Sequence, residues 1–249
     1  MLPLLYIFIF LFGICIGSFL NVVILRVPVG ESVVTGPSHC PCCGRNLKWR
    51  ELVPLFSFLA LRGRCAGCGE KISPQYPLIE AAAGLLWVFL FWRFGLSLTA
   101  LLACLFVSAL LALSVIDART GEIPLGINCF ILALGAAATA LDFSNWPAHI
   151  IGLFALSAPL LLVWFVTKGA GVGGGDIKLL AAAGLLLGWK QLLLAVFIGC
   201  LAAVIVHLPR MALKKAGRAL AFGPYLSFGM FLSLVWGESM INWYLGLLY

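Results

Sequence analysis

Only three aspartates occur in the chain, Asp117, Asp142 and Asp176. A carboxylate close to apolar surroundings is costly, so each needs a reason. Asp117 closes an apolar run in Ser114-Val115-Ile116-Asp117-Ala118-Arg119. Asp176 opens another, in Gly171-Val172-Gly173-Gly174-Gly175-Asp176-Ile177-Lys178. If the two carboxylates meet, they share one proton, because two close like charges do not both form. The ionised partner can then take a proton from water while the protonated partner donates to a carbonyl oxygen. Peptide hydrolysis by that route needs neither a metal nor a covalent intermediate. A second reading stays open at this point, in which Asp117 and Asp176 are unrelated interface carboxylates and Asp117 pairs with Arg119 or Lys178. Asp142, in Leu141-Asp142-Phe143-Ser144-Asn145, reads as a solvated turn or helix cap.

Thiols form the second chemical grouping. Cys40-Pro41-Cys42-Cys43 and Cys65-Ala66-Gly67-Cys68 are two Cys-x-x-Cys pairs with 21 residues between them. That spacing matches a four-thiolate zinc site made of Cys40, Cys43, Cys65 and Cys68. Each pair folds back in a tight turn, for which Gly44, Gly67 and Gly69 supply permissive backbone. Four thiolates leave no open position for water, so the site is structural, with about one zinc per chain. His39 and Cys42 are alternative ligands. Cys15, Cys104, Cys129 and Cys200 stand singly in apolar runs and read as packing residues.

The glycines before Asp176 have a formal Gly-x-Gly-x-x-Gly spacing from Gly169 to Gly174. A dinucleotide fingerprint needs a strand–turn–helix setting, which this sequence lacks. Gly173 and Gly175 are instead expected to let a substrate backbone approach Asp176, with Lys178 as a further substrate-positioning residue. Small-residue helix packing is the competing reading.

The elements that hold these residues follow from composition. Of the 249 residues, 63% are hydrophobic and 10% charged, and the mean hydropathy is +1.12. A water-soluble globule and a disordered chain are both excluded, and continuous apolar runs argue against a β-barrel. The expectation is an all-α polytopic membrane protein of eight transmembrane helices: one at 1–25, then runs near 77–92, 97–116, 123–141, 148–167, 177–189, 192–209 and 222–248. The first has no basic flank or cleavage site and reads as a span, not a signal peptide. The sixth is too short for the bilayer and must be buried among its neighbours or sit in thinned lipid. Residues 26–76 make a cytoplasmic zinc-binding domain, and 77–249 a seven-helix catalytic core.

Charge sets orientation. Fourteen of the sixteen Lys and Arg fall in one set of loops; only Arg93 and Lys190 lie opposite. The positive set includes Arg26, Arg45, Arg62, Arg119 and Lys168, and ends with Arg210, Lys214, Lys215 and Arg218. Positive loops stay inside, which puts residues 26–76 in the cytoplasm and both termini outside. The third span then ends inside and the sixth begins inside, so Asp117 and Asp176 reach one membrane face. The net charge of +7 therefore reads as orientation and not as a nucleic-acid signal. Asn21 and Asn128 are expected to position helices, Glu80 to anchor the zinc loop, and His149 and His207 to sit at helix ends near the interface.

Five ordered motifs give the chain a resemblance to the type IV prepilin peptidases, a family of GxGD-type intramembrane aspartic proteases. They are Gly17-Ser18-Phe19-Leu20-Asn21 through Arg26-Val27-Pro28, the four cysteines with Leu61-Arg62-Gly63-Arg64 and Ile72 to Glu80, Asp117 with Ile123-Pro124, Gly173-Gly174-Gly175-Asp176, and Phe222-Gly223-Pro224. Leu125 departs from the family, which often has Asp or Asn there, and Cys42 is an additional thiol. The resemblance implies Asp117 and Asp176 as catalytic residues. It implies cleavage of the short basic leader of prepilins or pseudopilins after a Gly, at the cytoplasmic face of a bacterial inner membrane. It further implies N-methylation of the new terminus by S-adenosylmethionine, with no residue assigned to that donor. An ion-coupled transporter and a zinc-stabilised scaffold without chemistry are the rival classes. Neither the oligomeric state nor the particular pilin substrate is legible.

Overall fold

The computed structural model describes residues 2–169, 171–212 and 220–247. Ala170 of the glycine run and Lys214, Lys215 and Arg218 of the positive loops lie outside the described residues. The described residues form ten α-helices and three short 3₁₀ turns. Among the described residues five segments are long and apolar enough to cross a membrane: Pro3–Val29, Gln75–Phe94, Leu98–Thr120, Phe143–Val166 and Trp189–His207. The chain is thus an all-helical protein with several candidate membrane spans. It divides into two compact units, Met1–Cys104 and Leu105–Tyr249.

In the first unit, α1 (Leu2–Arg26) packs along α3 (Gln75–Phe94). Small residues allow this close approach. A Cβ on Gly17 would stand 2.6 Å from Glu80 Cα, and one on Gly13 would stand 2.8 Å from Gly84 Cα. Such contacts are how helices associate where lipid removes most of the hydrophobic driving force. Ile14, Ile24, Ala83, Trp87 and Leu90 are buried there. Between these helices lies the polar segment, with the five-residue α2 (Phe56–Ala60) and irregular turns. The long α4 (Leu98–Thr120) runs from the first unit into the second.

The second unit gathers α5 (Leu125–Leu141), α6 (Trp146–Ala155), α7 (Ser157–Val166), α8 (Gly174–Leu187), α9 (Trp189–Ala212) and α10 (Gly223–Gly246). Its centre is α8, which packs against α5, α6, α7, α9 and α10. Nine of its fourteen residues are buried, among them Leu179, Leu180 and Ala183. The shortness legible in the sequence is therefore met by enclosure among protein helices. Gly152 on α6 and Gly184 on α8 oppose each other so closely that a Cβ on either would overlap the other's carbonyl oxygen.

One expected element is not continuous. The run near 148–167 breaks at Leu156 into α6 and α7. Pro159 is the cause: it has no N–H to give the Ala155 carbonyl, and its ring crowds that carbonyl. The Ser157 hydroxyl turns back to the Leu153 carbonyl at the same place. α8 and α10 are not among the five segments long and apolar enough to span.

Candidate functional site

The metal-type cluster is built by two copies of one local turn. Cys40 N–H donates to the Arg45 carbonyl at 2.9 Å, and Gly44 N–H returns to the Cys40 carbonyl at 2.9 Å. The second turn repeats this, with Cys65 N–H to the Glu70 carbonyl at 2.8 Å and Gly69 N–H to the Cys65 carbonyl at 2.9 Å. Both turns close on a glycine with positive φ, +67° at Gly44 and +73° at Gly69, which glycine adopts without strain. Gly67 does not share that role. Its lack of a Cβ makes room for Arg45, whose Nε would lie 2.8 Å from an added carbon.

The turns bring Cys40, Cys43, Cys65 and Cys68 together with all four sulfurs within 4.8 Å of one another. Cys40 Sγ lies 3.9 Å from Cys68 Sγ. Four thiolates around zinc would be about 3.8 Å apart, given Zn–S bonds of about 2.3 Å in a tetrahedron. The donor set and its spacing thus fit a tetrahedral metal. His39 and Cys42 stand outside this group of four.

The surroundings favour thiolate at Cys65, whereas the Cys68 thiol is pushed up to about 12. The Cys65 thiol is held down to about 6 by the backbone N–H groups of Cys68 and Gly67, and Gly67 N lies 3.4 Å from its sulfur. Arg45 bonds Glu51 Oε1 at 2.7 Å and also meets the Cys65 sulfur. Glu51 is held below the usual carboxylate range, first by Arg45 and then by the Lys48 backbone N–H, which donates to its Oε2 at 2.7 Å.

Glu80 ties this segment to α3. It is 7% exposed, and its Oε2 accepts the Leu55 N–H at 2.8 Å. Ser18 of α1 bonds the same carboxylate. Asn21, 2% exposed, donates to the Tyr76 carbonyl at 3.1 Å and accepts from Gln75 Nε2 at 3.4 Å. The first sequence motif is therefore used by α1 to grip the start of α3. Arg26, read in the sequence as an orienting charge and a member of the first motif, donates to four carbonyls. Nη1 reaches Ser32 and Thr35 at 3.0 Å, and Nη2 reaches Gly36 at 3.3 Å and Pro37 at 3.2 Å.

In the second unit, Asp117 lies near the end of α4 and is 4% exposed. Asp176 is in the first turn of α8 and is half-buried. The two are close enough that the charge of Asp117 is felt at Asp176. Asp117 Oδ2 accepts the Gly223 N–H at 2.8 Å. Gly223 opens α10 and Pro224 follows it. The first amides of a helix have no partner within it, so one is available to a carboxylate. This partner was missed from the sequence; its signal was the Phe222-Gly223-Pro224 motif, with proline at the helix start.

Glycines keep space beside each carboxylate. A Cβ on Gly223 would stand 2.8 Å from Asp117 Oδ2, and one on Gly173 would stand 2.9 Å from Asp176 Oδ2. Gly175 lies against Ile123, and its carbonyl faces Asn128 Nδ2 at 3.5 Å. Asn128 is buried. Lys178 is exposed and Gly173 is exposed.

Of the other polar residues, Asp142 follows α5 and takes Asn145 Nδ2 at 3.1 Å on both oxygens. His149 is buried, with Nδ1 2.9 Å from the Leu185 carbonyl. Of the four single cysteines only Cys104 is buried; Cys15, Cys129 and Cys200 lie on the outer surfaces of their helices. The packing role expected for those three is thereby corrected: a small thiol needs no burial where the surroundings are apolar on every side.

Residues 11–94 match the model of the bacterial peptidase A24 N-terminal domain, and residues 104–208 that of the type IV leader peptidase family. A prepilin leader peptidase/N-methyltransferase of Bacillus subtilis is 37% identical over 95% of this chain and 96% of its own length. The chain belongs to the type IV leader peptidase family. Relatives of the same name from Stutzerimonas stutzeri and Pseudomonas aeruginosa are each 33% identical over 94% of this chain and 91% of their own length. No solved structure gives a significant match. Membership of this leader peptidase family makes the chain an enzyme. The two matched regions separate the thiol cluster from Asp117 and Asp176, so the family's two regions carry the two chemical groupings apart.

Proposed function

We propose that this enzyme removes the short basic leader from prepilins or pseudopilins at the cytoplasmic face of the bacterial inner membrane, using Asp117 and Asp176 as its catalytic pair. The observation that carries the reading is the placement of the two carboxylates in one unit, Asp117 near the end of α4 with its Oδ2 on the Gly223 N–H and Asp176 in the first turn of α8, near enough for the one charge to act on the other. The dyad holds one proton. Its ionised member takes a proton from the attacking water as its protonated member donates to the scissile carbonyl oxygen. Gly223 N–H fixes Asp117, leaving its other oxygen for the reaction. Gly173 and Gly175 leave room for an extended substrate backbone, and Lys178 positions it.

Eight membrane helices with both termini outside would place both aspartates at one face. The pattern of cations supports that topology, α5, α8 and α10 completing the five apolar segments. Cys40, Cys43, Cys65 and Cys68 would hold one structural zinc that closes the segment 26–76. The relatives' names support a second reaction, methylation of the new N-terminus by S-adenosylmethionine. Bound to the enzyme, that cofactor would supply an electrophilic methyl group.

The test is co-expression with a prepilin and mass measurement of the product. Loss of the leader, and its abolition by Asp117→Asn or Asp176→Asn in a folded protein, is expected. Full cleavage by either variant would overturn the assignment.

A further inference from the structure

Exposed apolar side chains are unremarkable on a membrane helix. They need an explanation in the polar segment between the two cysteine turns. There Trp49 is 72% exposed, Phe56 56% and Leu59 72%, with Leu52 and Val53 also exposed. This is not a segment without an interior: Phe58 folds inward against Gly63, where an added Cβ would stand 3.0 Å from its ring. Phe56 and Leu59, three apart on α2, remain outside. On a surface facing only water such a cluster is an aggregation liability; it marks an interaction site.

We infer that residues 49–60 form an interfacial anchor whose apolar side chains enter the headgroup–acyl boundary of an anionic bilayer. Two observations select lipid as the occupant. The first is depth. Leu55, immediately before Phe56, donates its N–H to Glu80 Oε2 at 2.8 Å. Glu80 is the sixth residue of the candidate span Gln75–Phe94, so the tether holds Leu55 about 8 Å along that helix from its start, at ~1.5 Å per residue. The backbone is shaped for this contact. Leu55 has φ +61° and ψ −50°, and Phe56 N–H returns to the Pro54 carbonyl at 2.7 Å. That is the rarer, strained form of γ-turn, which an aspartate, glycine or asparagine would tolerate more easily than leucine.

The second observation is charge. Lys48 precedes the apolar cluster, Arg50 lies within it next to Trp49, and Arg62 and Arg64 follow it, all exposed. The carboxylate within the stretch, Glu51, is taken up by Arg45. An apolar face rimmed by cations is the composition that binds anionic lipid at the interface. Arg50 lies over the Trp49 ring at 5.1 Å, joining the cationic rim to an aromatic side chain of the type enriched at headgroup level. The inference requires the helix Gln75–Phe94 to span the membrane. It does not require the catalytic reading, so the two fail separately.

The full chain reconstituted in vesicles of phosphatidylcholine and phosphatidylglycerol provides the test. A photoreactive benzoylphenylalanine replaces Phe56, Leu59 or, as a control, Glu70 on the second cysteine turn, and adducts are identified by mass. Retention of zinc by each variant reports that the segment is folded, and the probe at Leu52 replaces that at Phe56 or Leu59 should either variant lose it. Phospholipid adducts at Phe56 and Leu59 roughly tenfold above Glu70 are expected, falling when phosphatidylglycerol is omitted. Cross-links within the chain, cross-links only to added prepilin, or no adduct at all would each overturn the anchor. A yield indifferent to phosphatidylglycerol would overturn the choice of anionic lipid.

Discussion

The thiol cluster and the carboxylate pair are built in opposite ways. The four cysteines come from two short turns of one repeated design, each closed by its own backbone hydrogen bonds and a positive-φ glycine. Such a site is nearly complete within a few residues of sequence and needs only that two knuckles meet. The aspartates come from α4 and α8, and the bonded partner of Asp117 is an amide 106 positions away, at the start of α10. No local pattern completes that site. A grouping that only closes a loop can be assembled locally, whereas one whose members lie on separate helices is assembled from helix ends, where space and unpaired amides exist.

Exchanging a carboxylate should have the largest effect and sharpen this contrast. Asp117→Asn and Asp176→Asn should each lower leader cleavage by at least about 10³-fold, since a dyad loses both its acid and its base when one member is gone. Metal content by elemental analysis should be unchanged. If either change also emptied the cysteine cluster, the two regions would not be independent.

Thiol exchange should do the converse. Cys65→Ser with Cys68→Ser should reduce bound zinc from about one per chain to none, because two thiolates do not make a closed tetrahedral site. Residues 26–76 should become protease-sensitive while measurable cleavage remains. Complete loss of cleavage in a protein whose second unit stays protease-resistant would break the comparison.

Intermediate effects are expected beside the carboxylates. Gly223→Ala places a carbon against Asp117 Oδ2 and should cost about 10- to 100-fold in cleavage, on the scale of misplacing a reacting group by a fraction of an ångström. Gly173→Ala, which meets the free end of Asp176, should cost less. Cleavage assays on the two variants side by side rank the two carboxylates by how tightly they are held.

Glu80→Ala removes the acceptor of the Leu55 N–H and should destabilise the first unit by about 1–3 kcal/mol, the range for a buried group left without its partner. Hydrogen exchange at Leu55 is the measurement, and Glu80→Gln should restore most of the protection.

The smallest effect is a pH dependence of the metal-free protein. The folded Cys65 thiol lies near 6, below its unfolded value of about 8.5. Its thiolate therefore contributes stability that is fully present above the unfolded value and is lost as pH falls through about 6. Protease resistance of the apo segment should decline over that interval, and Cys65→Ser should flatten the profile.

Much of this was legible in the residues. The Cys-x-x-Cys spacing marked all four members of the cluster, because a knuckle is a local object. Glu80 was legible as an anchor of the loop because a carboxylate at a span entrance needs a donor. The break at Leu156 was present as Pro159 but was overridden by continuous hydropathy. The roles of Gly67 and Arg26 were not legible, since one depends on where the Arg45 side chain lies and the other on a loop folding over it.

Apolar composition and continuous apolar runs by themselves pointed to an all-helical chain with several candidate membrane spans, for burial in lipid leaves a backbone few alternatives. Which helix ends converge was decided only by tertiary packing. The enclosure of α8, the placing of Gly223 N–H on Asp117 and the tether from Glu80 to Leu55 each join residues too far apart for any periodicity to relate them.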